Sequence, residues 1–179
     1  MRDRILALDL ATRTGWAVVG LDATVYGWGA FTCTKTTKLS KWTRLRRQLS
    51  LIVADPEQIE AVVMEAPITY GARGRSANGA RSSFGMTAHV EHWAERRGIA
   101  PDQIVELAPA AVKKLTTGHG HASKAQVAAA CAEAWPHVAE EIAAIVEADK
   151  HYDETDALAI ALAWLRKHGN ACDLAAPVV

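Results

Sequence analysis

Two apolar segments, each with an acid at or near its end, constrain this fold most. Asp9 lies near the end of the apolar run 5–10, and Glu65 ends the run 61–65. Short and continuously apolar runs are typical of strands that are covered on both faces, so both acids are expected at the ends of buried strands. An unpaired buried carboxylate costs several kcal/mol or more. A cationic partner is therefore expected beside these two acids.

A second pair of acids stands at the start of a late apolar segment. Asp153 and Asp156 precede residues 157–165, the longest apolar run of the chain. Three residues apart on a helix, they share one face and are close enough to share a metal ion. The alternative is that they cap the helix and favour its dipole. In the same way, each strand acid could pair with a Lys or Arg or cap a local turn.

The four acids together form a donor set that suits divalent metal ions. Hard cations such as magnesium and manganese prefer carboxylate oxygens. Two such ions about 3.5 to 4 Å apart can activate a water and stabilise the leaving oxygen of a phosphodiester. The order of a strand acid, a second strand acid and a helical acid pair favours a metal site over four unrelated surface charges.

Length and composition predict a single globular domain over residues 1–179, because half of the residues are apolar. The longest apolar run is far too short to span a membrane, and Asp9 interrupts the apolar stretch that a signal peptide would need. We therefore expect a cytoplasmic protein without a membrane segment. Cys33, Cys131 and Cys172 are odd in number and widely separated, which favours neither a disulfide framework nor a zinc site.

The formal net charge of zero hides an asymmetry along the chain. Residues 35–124 carry fourteen Lys and Arg against eight acids, whereas residues 125–179 carry three against nine. Such a division is expected of a protein that binds a polyanion on one surface and holds cations near another. The alternative is two solvated faces that bind no partner.

Periodicity predicts an α/β fold with a five-stranded mixed sheet flanked by helices. Residues 4–10, 15–20 and 24–31 predict three strands joined by short turns, and hence an antiparallel meander. Two further strands are predicted at 60–65 and 103–107. Helical patterns cover residues 39–52, 84–97, 124–135 and about 153–168.

Two local patterns bear on function. Ser123 and Gln126 have the spacing of a capping box, which would mount Lys124 rigidly in the first turn of a helix. Residues 71–83 are rich in Gly, Ser and Arg and can bury almost nothing. We expect a mobile, arginine-bearing loop there.

Four motifs, in this order, resemble those of the RuvC Holliday junction resolvases, which belong to the ribonuclease H-like superfamily. They are LDLATRTGWA at 8–17, MEAP at 64–67, VKKLTTGHGHASKAQV at 112–127 and DETDALA at 153–159. The third and fourth motifs are the more specific ones. The compact form of the chain is similar to phage-type members.

The resemblance implies a ribonuclease H-like fold and a metal-dependent, structure-selective endonuclease that resolves Holliday junctions and other branched DNA. It implies that Asp9, Glu65, Asp153 and Asp156 are catalytic and hold two Mg²⁺ ions, for which Mn²⁺ would substitute. It also implies that the catalytic Lys124 lies nearest the scissile phosphate and that Lys113 approaches the DNA backbone. A homodimer and no small-molecule cofactor are expected.

Further DNA contacts are expected from the Gly- and Arg-rich segment, at Tyr70, Arg73, Arg75 and Arg81. The chain departs from the family pattern here, over residues 66–83, and again over residues 137–150, which are longer than usual. The preferred junction and the cleavage sequence are therefore open.

Two other functions remain possible at this point. An acid on a first strand followed by a Thr- and Gly-containing hairpin also occurs in actin-like and sugar-kinase-like ATP-binding proteins, although those folds need two such lobes. A catalytically silent DNA-binding module of the same fold is the other alternative. The presence of all four acids argues against it.

Overall fold

The computed structural model describes residues 1–36, 38–67, 77–148 and 152–169. Within these ranges the chain forms five strands and six α-helices. The strands are β1 (Arg4–Asp9), β2 (Arg13–Gly20), β3 (Val25–Thr32), β4 (Ile59–Glu65) and β5 (Ile104–Leu107). The helices are α1 (Lys41–Ile52), α2 (Ala77–Arg96), α3 (Pro109–Thr117), α4 (Lys124–Ala134), α5 (Ala139–Glu147) and α6 (Asp153–Lys167).

The strands form one mixed sheet in the order β3-β2-β1-β4-β5. The first three are antiparallel, whereas β4 runs parallel to β1 and β5 runs parallel to β4. Parallel neighbours need a crossover connection, and α1 and α2 lie in the connections that lead to β4 and β5. The predicted five-stranded mixed sheet with an antiparallel meander is confirmed.

Two apolar layers cover the sheet, one on each face. Because side chains alternate along a strand, Ala7 of β1 packs with helices α3 to α6, while Leu8 packs with α1 and α2. The same alternation places Asp9 on the α6 side. Val63 of β4 also faces α6, so Glu65 ends its strand on that side too. Both strand acids therefore point to the same layer.

Helix α6 is the central element of that layer. Residues 157–165 are all buried, and the helix contacts β1, β2 and β4. Its first turn is acidic and its last turn carries Arg166 and Lys167, an arrangement that the helix dipole favours. Because one continuous segment is packed into the core, the first turn of α6 has a fixed place relative to the sheet.

The start of α2 differs from the prediction. The expected loop over 71–83 is wrong for residues 77–83, which are helical and lengthen the helix predicted over 84–97. The loop residues before 77 lie outside the described part of the chain. In consequence, the described part of the Gly- and Arg-rich segment is held on a helix.

Tertiary packing explains why a segment rich in Gly and Ser is helical. Met86, Val90 and Trp93 recur at helical spacing and are buried against α1 and the sheet. Gly85 lies so close to Trp42 of α1 that a Cβ atom would come within 2.7 Å of the indole ring. Burial of this face offsets the low helix propensity of the preceding residues.

Residues 137–150, expected to be longer than in the family, contain helix α5 in their described part. Ile142 of this helix is buried in the α6 layer. Among the described helices, none is long and apolar enough to cross a membrane.

Candidate active site

The two strand acids meet at one edge of the sheet. Asp9 ends β1 and Glu65 ends β4, and these strands are parallel neighbours. Leu8 is paired with Met64, so one residue further on the two acids stand level with each other. Both are half-buried. The fold therefore places two carboxylates side by side at the carboxyl ends of adjacent strands.

The first turn of α6 reaches this edge because of one glycine. Gly15 of β2 is paired with Asp9 across the sheet. A Cβ atom on Gly15 would lie 1.8 Å from the backbone oxygen of Asp153, closer than any side chain allows. Only a residue without a side chain lets the start of the helix rest on β2 at this point, and this brings Asp153 and Asp156 to the strand acids.

The charges at this edge act on one another. The pKa of Asp9 is raised from 3.8 to about 7, first by burial and then by the negative charges of Asp156, Glu65 and Asp153. The ammonium group of Lys124 opposes this rise in pKa. All four predicted acids thus contribute to one electrostatic cluster, in which the negative charges of the other three add to the effect of burial on Asp9.

Lys124 is mounted as the sequence indicates. Ser123 and Gln126 form the capping box at the start of α4. The Nζ atom of Lys124 donates a hydrogen bond of 2.7 Å to Oδ2 of Asp156 and lies 5.5 Å from the ring centre of Tyr152. Burial works against its ammonium charge, but the hydrogen bond and the charge of Asp156 outweigh it and raise the pKa of Lys124 above its ordinary value.

The pKa of Asp156 is also raised. Burial is the main cause, and the hydrogen bond and charge of Lys124 oppose it. The ion pair with Lys124 therefore stabilises the carboxylate only in part, and an additional cation would lower its pKa further.

Arg13 is a member of the cluster that the sequence interpretation missed. Its Nε lies 3.2 Å from Oδ2 of Asp153, and its Nη2 donates to Oε1 of Glu154. The spacing of Arg13 and Gly15 could have indicated this contact, because residues two apart on a strand lie on the same face. The predicted strand begins at residue 15 and leaves Arg13 in the preceding turn, whereas β2 begins at Arg13.

A cleft of about 480 Å³ opens at this edge of the sheet. Three of the predicted acids line it, and Lys113 and Lys124 line it as well. The start of α2 contributes another part of the wall. The three acids are Asp9, Glu65 and Asp156, and α2 contributes Gly79 and Ser82. Asp153 does not line the cleft, since its carboxylate is engaged by Arg13.

The predicted DNA-contact residues are distributed differently from the acids. Lys113 is on α3 and faces the cleft. Arg81 is exposed on α2 and does not lie in a loop. Tyr70, Arg73 and Arg75 lie outside the described residues.

The donor chemistry of the cluster fits a hard divalent ion, but the side chains are not arranged as ligands. In the described ranges, no three Asp, Glu, His or Cys side chains form a group ready to hold a metal ion. Two of the acids point to cations of the protein itself, Asp153 to Arg13 and Asp156 to Lys124. The oxygens in these contacts, Oδ2 of Asp153 and Oδ2 of Asp156, would have to leave their present partners before they could serve as ligands of an ion.

Solved structures share this fold over nearly the whole chain. A structure of Thermus thermophilus RuvC matches with a TM-score of 0.67 and 20% identity, covering 98% of this chain and 99% of that one. T. thermophilus RuvC in complex with a Holliday junction substrate matches with a TM-score of 0.69 and 22% identity, covering 93% and 97%. The chain has the RuvC fold.

A more distant match is the yeast mitochondrial Holliday junction resolvase, with a TM-score of 0.62 and 16% identity, covering 94% of this chain and 80% of that one. No family model matches the sequence, and no curated protein matches it at a significant level. At these identities the likeness concerns the fold. The RuvC fold inferred from the four sequence motifs is confirmed.

Replacement of Gly15 tests whether its close contact with α6 holds the site together. Gly15→Ala should lower the free energy of unfolding by about 1–3 kcal/mol or more, because the new methyl group must push the first turn of α6 off β2. Urea denaturation would measure this. Gly27→Ala is the matched control, since a Cβ at this strand position meets the Trp16 ring at an ordinary 3.4 Å. Equal destabilisation by the two substitutions would contradict the close-contact model.

The raised pKa of Asp9 predicts a pH dependence of stability in metal-free protein. Between pH 3.8 and about 7 the folded state holds a proton on Asp9 that the unfolded state has released, so stability falls as pH rises through this window. The loss is at most about 4 kcal/mol, or about 1.4 kcal/mol for each unit of pKa.

Chemical denaturation between pH 4 and 8 in a chelator would measure this effect. Asp9→Asn should flatten the pH dependence, whereas Asp102→Asn, a change at an exposed position, should leave it as in the wild type. A wild-type protein that is more stable at pH 8 than at pH 5, with the same profile in Asp9→Asn, would contradict the prediction.

Proposed function

We propose that this protein is a divalent-metal-dependent, structure-selective DNA endonuclease that cuts Holliday junctions and other branched DNA. The observation that carries the proposal is the cluster of four acids at the carboxyl edge of the sheet, beside a cleft that two lysines also line. The mutual repulsion of these carboxylates, seen in the raised pKa of Asp9, favours the binding of cations between them.

The fold supports the same function. Two of the similar structures are RuvC, one of them bound to a Holliday junction substrate, and the third is a Holliday junction resolvase of yeast mitochondria. A shared fold alone does not establish an activity. The RuvC-like motifs, however, carry all four acids. The fold and the acids together favour a nuclease over other functions of this fold.

Asp9, Glu65, Asp153 and Asp156 would hold two Mg²⁺ ions, or Mn²⁺ in their place. The chemistry that such ions supply, when bound, is activation of a water nucleophile and neutralisation of the leaving oxygen of a phosphodiester. The protein itself provides the carboxylates on three rigid elements. Because β1, β4 and α6 are packed in one core, the backbone positions of the four acids are fixed before any ion binds, and only their side chains have to turn.

Lys124 would stabilise negative charge on the phosphate during cleavage. Its ammonium group lies at the cleft on a capped helix start, and its raised pKa keeps it charged at neutral pH. A preorganised cation at the point where charge develops is an effective form of transition-state stabilisation. Lys113, one turn from the end of α3, would bind the backbone of the same DNA.

Arg81, Tyr70, Arg73 and Arg75 would extend the DNA contacts beyond the cleft, to phosphates or to bases opened at the branch point. Arg81 lies on α2, only one residue from Ser82, which lines the cleft. DNA held in the cleft would therefore pass close to this helix.

A homodimer would be needed to cut both strands of a junction, because the four acids lie at one such cleft in the described part of a protomer. We propose that the chain acts as a single domain in the cytoplasm and pairs with a second copy for this purpose. Two copies would bring two clefts to opposed strands of the same branched DNA.

A catalytically silent DNA-binding module is the second candidate. The observation that favours it is that Asp153 and Asp156 already have cationic partners in Arg13 and Lys124. If these ion pairs persist when DNA and metal are supplied, the cluster would support the fold and would not cut. The ATP-binding alternative gains no such support, since the described residues build one lobe around one sheet.

Cleavage of a synthetic four-way junction separates these candidates. Wild-type protein with Mg²⁺ should cut it, and both Asp9→Asn and Asp156→Asn should abolish cutting while leaving binding intact, because they remove metal-binding charge and not DNA contacts. Glu154→Gln is the matched control: this acid lies in the same turn but faces Arg13, so cutting should remain. Cutting in a chelator without Mg²⁺, or no loss of cutting in the two Asn variants, would refute the metal-dependent mechanism at these acids. Junction binding without any cutting would favour the silent module.

A further inference from the structure

A second basic region lies outside the cleft. Between Asp22 and Asp55 the sequence has no acid but carries six cations: Lys35, Lys38, Lys41, Arg44, Arg46 and Arg47. Solubility alone would require only a polar outer face on α1, which charges of both signs supply equally well. Solubility of the fold therefore does not explain why all six charges of this segment are positive.

Part of this region forms a concave surface. Side chains of α1 and of the segment before it line a shallow groove of about 260 Å³, which we call the α1 groove. Its residues are Thr36, Leu39, Arg44, Arg47, Gln48 and Leu51. Arg44 donates a hydrogen bond of 3.4 Å to the backbone oxygen of Thr34, which ties its guanidinium to the preceding segment. Lys35 and Lys38 are exposed on that same segment.

Lys41 links the α1 groove to the cleft. Its Nζ donates a hydrogen bond of 2.6 Å to Oγ of Ser82, and Ser82 lines the cleft. Lys41, Arg44 and Arg47 follow one another at three-residue intervals along α1, and each interval advances about 4.5 Å along the helix. The three cations thus extend over about 9 Å from the rim of the cleft to the α1 groove.

We propose that Lys41 and the α1 groove bind the phosphate backbone of a DNA arm that leaves the cleft. The proposal rests on the proposed function and extends it to a part of the chain that carries none of the expected DNA contacts. Two guanidinium groups on one groove suit phosphate oxygens, which they bind in a bidentate manner. Charge complementarity with a polyanion is strong, since no acid of this segment opposes it.

The salt dependence of junction binding tests the groove directly. Binding of a fluorescent four-way junction is measured by anisotropy in the Asp9→Asn background, so that no DNA is cut. Arg44→Gln/Arg47→Gln should reduce the slope of log K against log salt by about 1.8, since each duplex phosphate contact contributes about 0.9. Between 0.05 and 0.2 M salt, this variant should therefore lose roughly tenfold less affinity than the unsubstituted protein.

The matched control removes the same charge elsewhere. Arg96→Gln/Lys167→Gln changes two exposed cations at the C-terminal ends of α2 and α6. Arg96 is about 21 Å along α2 from Ser82, and α6 lies on the other face of the sheet. The slope of this control should stay as in the unsubstituted protein. Arg44→Lys/Arg47→Lys should also keep the slope, which separates loss of charge from loss of folding.

Arm length provides an independent readout. Junctions with long arms should bind more tightly than junctions trimmed to the few base pairs beside the branch point, because only long arms reach the α1 groove. Arg44→Gln/Arg47→Gln should lose this gain, and Arg96→Gln/Lys167→Gln should keep it. Short-arm junctions should bind all of these proteins with similar affinity.

The outcomes distinguish the two proposals. A slope and an arm-length gain in Arg44→Gln/Arg47→Gln equal to those of the control would overturn the α1 groove and leave the nuclease intact. If the protein binds long-arm junctions through the α1 groove but does not cut them with Mg²⁺, the proposed nuclease activity is refuted and the proposed DNA binding by the α1 groove is retained. If it binds no branched DNA at any salt concentration, both fail.

Discussion

The contact between the first turn of α6 and β2 at Gly15 is the constraint on which the site depends. It brings the backbone of Asp153 to a place that any side chain on Gly15 would occupy. The cost of this contact is electrostatic, because it gathers carboxylates beside Asp9. Burial of residues 157–165 holds the helix in place and offsets that cost. Packing along the helix therefore maintains a repulsive arrangement at its end.

The repulsion is relieved only in part by the protein itself. Arg13 pairs with Asp153 and Glu154, and Lys124 pairs with Asp156, yet the pKa of Asp9 is still raised to about 7 and that of Asp156 is raised as well. Natural folds seldom keep such a conflict in a half-buried position without a functional reason. A site that exchanges its own cations for divalent ions is consistent with both the ion pairs and the residual charge.

Much of the fold could be predicted from the sequence, because its signals are local. Continuous apolar runs marked β1 and β4, and the Ser123 capping box marked the start of α4. The start of α2 could not be predicted, since the residues before Gly85 have low helix propensity and the helix is held by burial of Met86, Val90 and Trp93 against elements distant in sequence. The position of Asp9 beside Glu65 depends on the pairing of β1 with β4, which no local pattern indicates, and the pairing of Arg13 with Asp153 depends on how closely α6 approaches β2.

The central claim is that the four acids bind divalent ions, and that Asp153 and Asp156 exchange Arg13 and Lys124 for them. Anomalous diffraction from crystals soaked in Mn²⁺ tests it most directly. The account predicts manganese at the carboxyl edge of the sheet, bound by Asp9 and Glu65, with the carboxylates of Asp153 and Asp156 released from Arg13 and Lys124. Manganese absent from this edge, with both ion pairs unchanged, would contradict it.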